Sequence, residues 1–182
     1  MGKRTTLIAL LLVTTIGTRF LSLPPNFSPL GAFALFGGAY ISHKWGRYVL
    51  PLLMIWVSDI IITNVIYSEY VDGFTLFYKG SLVNYFAFAS IVFVGAMIKK
   101  KNQLTVIIGA TASSVLFFII SNFGVWAFSE MYPNTINGLV SCFTFALPFF
   151  KNSLVSTLLF SALLFGAVEV VNRYFFLKKV VR

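Results

Sequence analysis

Long uncharged, apolar runs alternate with short polar segments along the chain, and these runs predict membrane-spanning helices. A helix needs about 20 mostly apolar residues to cross the hydrocarbon core of a bilayer. The strict alternation of apolar and polar residues that marks a membrane β-barrel is missing from the sequence. We therefore predict an all-α integral membrane protein, a six-helix bundle in a single domain, 1–182. The predicted spans are 5–21, 29–42, 48–67, 81–98, 104–128 and 153–171.

One further apolar stretch, 136–150, does not fit this pattern of spans. At about 15 residues it is shorter than a crossing needs, and Gly138 and Pro148 interrupt it. We expect a re-entrant or interfacial segment here, separate from the span at 153–171.

The segment between the first two predicted spans has an unusually specific backbone. Pro24 and Pro25 cannot lie inside a helix, and each favours extended geometry in the residue before it. Pro29 is suited to the first turn of a new helix, with Ser28 as its cap. Two interpretations stay open: a rigid hairpin turn, or a loop that contacts a ligand.

Composition agrees with a membrane location. The chain is 58% hydrophobic and only 10% charged, whereas soluble domains carry roughly 25% charged residues. A single cysteine, Cys142, excludes a disulfide within the chain and a cysteine-based metal site. A single histidine, His43, excludes relays built on several histidines. We expect neither a metal nor a cofactor.

The net charge of +9 reflects topology rather than nucleic-acid binding. Lys and Arg concentrate in cytoplasmic loops of membrane proteins, and most of the basic residues fall on the side that carries the N-terminus. We therefore expect a multi-pass protein of the bacterial inner membrane with both termini in the cytoplasm. The basic residues expected on the cytoplasmic side are Lys3, Arg4, Lys44, Arg47, Lys99, Lys100, Lys101, Arg173, Lys178, Lys179 and Arg182.

In this orientation, polar side chains collect towards the outer half of the bundle. Polar groups at membrane depth face the protein interior or a water-filled cavity. Arg19 and Trp126 offer a fixed charge and a flat aromatic face, a pair suited to a planar or anionic solute. The alternatives are hydrogen bonds between helices and, for Trp126, an interfacial belt. The candidate substrate-binding residues are Arg19, Asn26, Asp59, Thr63, Asn84, Asn122, Trp126, Asn134 and Asn137.

Asp59 is the most informative single residue because its predicted span places it near mid-membrane. A carboxylate there costs roughly 2.5–3.5 kcal/mol on insertion scales. Helical spacing puts Trp56 and Thr63 on the same face. Asp59 is interpreted as a ligand contact or a proton-coupling site, with a structural tie between helices as the alternative. Glu169 is expected to pair with Arg173, four residues on.

Small residues form a possible packing face on the second predicted helix. Ala34, Gly38 and Ser42 lie four residues apart, a spacing that lets helices approach closely. Ala162 and Gly166 form a similar step near the C-terminus. Each face either packs within the bundle or docks a partner protein.

Two stretches carry a resemblance to known membrane proteins. The segment 23–39, Leu-Pro-Pro-Asn-Phe-Ser-Pro-Leu-Gly-Ala-Phe-Ala-Leu-Phe-Gly-Gly-Ala, resembles the opening signature of an uncharacterised bacterial family of six-helix transport-type proteins. The segment 146–155 is similar to the Pro-Phe-x-Pro-Gly-Asp-Leu start of the sixth helix in substrate-binding S components of energy-coupling-factor (ECF) vitamin transporters. Asn152-Ser153 stands where that motif has Gly-Asp.

The resemblance implies a binding protein with an outward-facing pocket for a vitamin-like or other micronutrient. It also implies a membrane scaffold subunit with cytoplasmic ATPases as a partner. The alternative function is a non-catalytic scaffold without a transported solute. An enzyme is disfavoured, because an intramembrane aspartyl protease needs a second aspartate at depth and Ser–His chemistry needs a buried histidine.

Overall fold

The computed structural model describes residues 3–21 and 23–173, and over these residues the protein is all-helical, as predicted. A 3₁₀ turn, Thr18–Phe20, follows the first helix, and a π-helical turn, Ile62–Ile66, extends the third. The six α-helices of the described residues are α1 (Lys3–Gly17), α2 (Leu30–Tyr40), α3 (Gly46–Ile61), α4 (Ser81–Met97), α5 (Gln103–Phe128) and α6 (Ile136–Val171).

Within the part of the chain that the structure describes, three helical stretches are long and apolar enough to cross a membrane: Gly46–Ile66, Gln103–Phe128 and Ile136–Val171. Shorter apolar helices account for the other three predicted spans. Large apolar side chains also cover the outer surface, for example Leu82, Phe86 and Leu104, each about two-thirds exposed or more. A surface of this kind is suited to lipid rather than water. Six full crossings stay a prediction.

The separate segment predicted at 136–150 is wrong, because α6 is one continuous helix of 36 residues. Thr135 caps its start by accepting a hydrogen bond from the Gly138 amide at 3.1 Å. Pro148 removes one helical hydrogen bond, but aromatic contacts hold the helix on both sides of it. The ring of Phe118 on α5 packs against Phe143 at 5.5 Å and against Phe150 at 4.9 Å. Tertiary packing therefore stabilises α6 as one helix across Pro148.

The second predicted span, 29–42, is shorter in the structure and lies at the centre of the bundle. α2 has 11 residues and contacts each of the other helices. It is about 16 Å long, roughly half the hydrocarbon thickness of a bilayer. Its side chains from Ala32 to Phe36 are fully buried. The helix forms the core on which the longer helices pack.

α2 crosses α4 with the two backbones in direct contact. A methyl group added to Gly38 would overlap the carbonyl oxygen of Val92, and one added to Gly95 would overlap that of Leu35. Ala34 is fully buried on the same helix. Ser42 lies beyond the end of α2, so the small-residue face stops short of it. By contrast, a methyl group on Gly166 would meet nothing within 4 Å.

Candidate functional site

A cavity of about 390 Å³ opens where α2 begins, enclosed by α3, α4, α5, α6 and the loop before α2. Small-molecule sites are typically about 300–1,000 Å³, mostly apolar, with a few placed polar groups. The lining here has that mixture. Its polar side chains are Arg19, Asn26, Ser28, Asp59, Tyr67, Tyr78, Asn84, Ser114, Ser153 and Thr157, and its apolar wall includes Leu30, Phe88, Ile91 and Phe117.

The loop before α2 forms the rim of the cavity through a tight turn. The Phe27 amide donates to the Pro24 carbonyl at 2.9 Å, with Pro25 and Asn26 in the central positions. Asn26 has a φ of 58°, in the left-handed region that asparagine tolerates better than most residues. The Asn152 side chain on α6 donates to the Pro25 carbonyl at 3.0 Å. The loop is thus a rigid turn that also lines the cavity.

The floor of the cavity depends on a glycine at the start of α2. A methyl group on Gly31 would overlap the Thr157 hydroxyl. The absence of a side chain lets the Thr157 hydroxyl reach the floor of the cavity, although Thr157 itself is almost fully buried. Ser153 and Thr157 lie one turn apart on α6, so both present hydroxyls from the same face.

A buried ion pair forms one wall of the cavity. Arg19 Nη2 lies 2.7 Å from Asp59 Oδ1, with the two side chains only 14% and 7% exposed. The second terminal guanidinium nitrogen, Nη1, donates to the Ser58 hydroxyl and to the Ile55 carbonyl. The Tyr85 hydroxyl donates to Asp59 Oδ2 at 2.9 Å. Both carboxylate oxygens are therefore occupied by protein donors.

Tyr78 and Asn84 face the cavity as a hydrogen-bonded pair. The Asn84 amide donates to the Tyr78 hydroxyl oxygen at 3.1 Å, so that bond leaves the phenol hydrogen unused. Burial, and to a smaller extent the negative charge of Asp59, raises the pKa of Tyr78. The phenol therefore stays protonated at neutral pH and can donate to a bound molecule.

The loop that carries Tyr78 is tied to α3 and its π-helical turn. The Asn64 side chain exchanges two hydrogen bonds with the backbone of Thr75, at 2.7 and 2.8 Å. The Trp56 indole donates to the Leu76 carbonyl at 3.2 Å. These contacts position the loop, and they show that Trp56 supports it rather than sharing the Asp59 site.

The structure brings four of the predicted site residues together at the cavity: Arg19, Asn26, Asp59 and Asn84. The other predicted residues, Thr63, Asn122, Trp126, Asn134 and Asn137, lie outside its lining. Asn134 and Asn137 are exposed around the start of α6, and Thr63 lies in the π-helical turn.

Asn122 and Trp126 point away from the cavity because of their position around α5. Phe117 lines the cavity, and five residues further on a helix has turned by about 140°. The Asn122 side chain donates to the Phe118 carbonyl at 2.7 Å, and the Trp126 indole donates to the Pro133 carbonyl at 3.1 Å. Arg19 and Trp126 therefore do not share this cavity, although the sequence suggested that they act together on one solute.

Sequence reasoning missed most hydroxyl groups of the cavity as site residues, among them Tyr78, Ser114, Ser153 and Thr157. Serine and threonine are common in membrane helices, so individually they carry little signal. The spacing of Ser153 and Thr157, four residues apart, was the signal that could have identified one face. Among the described residues, no group of three or more His, Cys, Asp and Glu side chains could hold a metal.

Fold and site together define an all-helical, membrane-compatible protein with a polar cavity inside its bundle. The chain belongs to DUF6580, a family of unknown function whose profile matches residues 1–179. No curated protein and no solved structure matches the chain.

Proposed function

We propose that this protein binds a small solute in the cavity and takes part in its uptake across the bacterial inner membrane. The observation that carries the proposal is the cavity itself, about 390 Å³ in volume and lined by hydroxyls and amides on an apolar wall. An assembly role alone would give no reason to keep such a space, since packed interiors hold few voids larger than a water molecule.

The expected topology adds support, because it places the cavity in the outer half of the bundle. With both termini in the cytoplasm, the loop Ser68–Gly80 and the Pro24–Phe27 turn are extracytoplasmic, and both border the cavity side of the molecule. A solute arriving from outside would meet this end first. The basic cluster Lys99–Lys101 lies at the opposite end.

The small-residue faces bear on the competing scaffold function. The Ala34–Gly38 face is used inside the bundle, where Gly38 contacts the α4 backbone, so it is not free to dock a partner. The Ala162–Gly166 step on α6 has open space beside Gly166. We propose that a membrane scaffold subunit docks on this step, and that its cytoplasmic ATPases would supply energy for uptake.

Native mass spectrometry of gently purified protein tests the binding function. We expect a small molecule to co-purify with wild type and to bind about 2- to 10-fold more weakly in Asn84→Ala, because one hydrogen bond is lost. Asn122→Ala is the matched control, since it removes the same amide from outside the cavity. Repeated failure to find a bound molecule in well-folded wild type would favour the scaffold function. Loss of binding in Asn122→Ala alone would move the site to α5.

Thiol labelling tests the topology on which uptake depends. In a Cys142→Ser background, single cysteines at Ser68 and Lys100 should differ in reaction with a membrane-impermeant reagent applied to whole cells. We expect labelling of S68C only. Labelling of K100C but not of S68C would reverse the orientation, and the cavity would then open to the cytoplasm.

A further inference from the structure

The charges in the cavity wall are paired with each other and cancel. Among the described residues that line the cavity, Arg19 and Asp59 are the only charged ones, and they are joined at 2.7 Å. Tyr85 donates to the second carboxylate oxygen, and Nη1 of Arg19 donates to Ser58 and Ile55. Neither charge is left unpaired to receive an ion.

The partial charges of the helix ends beside the cavity also offset one another. α2 and α4 begin beside the cavity and contribute partial positive charge. α1 with its 3₁₀ turn and α3 with its π-helical turn end beside it and contribute partial negative charge. A charged solute would have to leave water for a partly apolar cavity without gaining a full opposite charge. Transfer of an unpaired ion into such surroundings is strongly unfavourable.

We infer that the solute of this cavity is an uncharged molecule with an apolar or aromatic body and several hydrogen-bonding groups. The inference rests on the proposed solute-binding function and replaces the anionic solute suggested by Arg19 in the sequence. It assigns recognition to the neutral groups of the lining, and it gives the ion pair the role of a positioning element.

The lining provides both parts of this chemistry. Phe88, Ile91 and Phe117 form an apolar surface contributed by α4 and α5. Beside this surface, Tyr78 and Asn84 provide a phenol and an amide, and Ser153 and Thr157 provide hydroxyls from α6. Such groups can both donate and accept hydrogen bonds, which suits carbonyl, amide or hydroxyl groups on a neutral molecule.

Three probes of the same size and different charge test the inference directly: benzamide, benzoate and benzylammonium. Their dissociation constants for purified wild-type protein in detergent are measured by calorimetry at neutral pH. We expect benzamide to bind at least about tenfold more tightly than either ion, which corresponds to ~1.4 kcal/mol. Tighter binding of benzoate or benzylammonium would overturn the inference and leave the binding function standing.

Single variants that leave one charge of the ion pair unpaired should change the relative affinities of the three probes. Asp59→Asn leaves the guanidinium unpaired, and benzoate should gain about tenfold relative to benzamide. Arg19→Gln leaves the carboxylate unpaired, and benzylammonium should gain instead. The double variant with both changes is the matched control, because it is neutral again and should retain the wild-type order.

The outcomes distinguish failure of this inference from failure of the proposed solute-binding function. If the single variants do not fold, the wild type and the double variant still decide, since both have a neutral cavity. Unchanged preferences in well-folded single variants would show that the ion pair does not set the charge of the site, and would overturn the inference. Absence of binding by all three probes in every variant would overturn the proposed function itself.

Discussion

The two ends of the short helix α2 are packed in opposite ways, one tightly and one beside a cavity. Towards its C-terminus, Gly38 lies against the backbone of α4, so closely that there is no room for a methyl group. Towards its N-terminus, Leu30 and Gly31 border a cavity of about 390 Å³. One end holds the bundle together, and the other leaves space inside it.

This difference follows from where glycine is used and what it faces. At Gly38 and Gly95, the missing side chains let two backbones touch, and the contact is fixed because a carbonyl group cannot move aside. At Gly31, the missing side chain faces the hydroxyl of Thr157, which can rotate. The closely packed end should therefore control stability, and the cavity end should control binding.

The closely packed end is tested by Gly38→Ala compared with Gly166→Ala. Alanine stabilises a helix interior by about 1 kcal/mol over glycine, so this gain is common to both changes. At Gly38 the added methyl overlaps Val92, and overpacking of this kind costs about 1–3 kcal/mol or more. The unfolding midpoint in detergent should fall for Gly38→Ala and stay level or rise for Gly166→Ala.

The matched pair separates local helix propensity from contact between helices. A Gly38→Ala protein as stable as Gly166→Ala would mean that α2 and α4 do not touch at this point. Binding by any Gly38→Ala protein that remains folded should be close to wild type, since Gly38 is not part of the cavity lining.

The next effect concerns the ion pair at the cavity end. Asp59→Asn or Arg19→Gln leaves one buried charge without its partner, and breaking a buried pair in this way costs about 3–5 kcal/mol. Replacing both residues, as in Arg19→Met with Asp59→Leu, should recover most of that loss, since well-packed apolar pairs often substitute for buried ion pairs. The coupling between the sites comes from the unfolding free energies of Arg19→Gln, Asp59→Asn and the double variant that carries these same two changes.

A small loss of stability in either single variant would change this interpretation of the cavity end. If either single variant unfolds within about 0.5 kcal/mol of wild type, the pair behaves as a solvated surface contact. The ion pair would then be free to rearrange around a solute, and the cavity end would be adaptable rather than held in place.

Much of the fold could be predicted because it depends on local sequence. The lengths of the apolar runs identified the six helices, and four-residue spacing predicted the pairing of Glu169 with Arg173, which the structure confirms. The central position of α2 could not be predicted in the same way. A helix buried in protein and a helix facing lipid are both apolar, so composition does not distinguish them.

For the site, the sequence predicted only the depth of each polar residue in the membrane. Orientation placed Arg19, Asn26 and Asn84 near one level on the outer side, and the structure groups them around the cavity together with Asp59, which was expected deeper in the membrane. Depth says nothing about the direction in which a side chain points, and that is why Asn122 and Trp126 were wrongly grouped with them. The contact of Arg19 with Asp59 joins two segments 40 residues apart in sequence, and no local pattern encodes it.

The smallest expected effect concerns the rim of the cavity, in Asn26→Gly compared with Asn26→Ala. Both changes remove the amide that lines the cavity, so both should weaken binding to a similar extent. They differ in stability because the φ of 58° suits glycine and strains alanine by about 1 kcal/mol. The greater freedom of glycine in the unfolded chain offsets part of that difference. We therefore expect Asn26→Ala to unfold at a slightly lower temperature than Asn26→Gly, with matched affinities in calorimetry. Equal stability would show that the rim turn relaxes out of its left-handed geometry, whereas unequal affinity would show that the turn itself shapes the cavity.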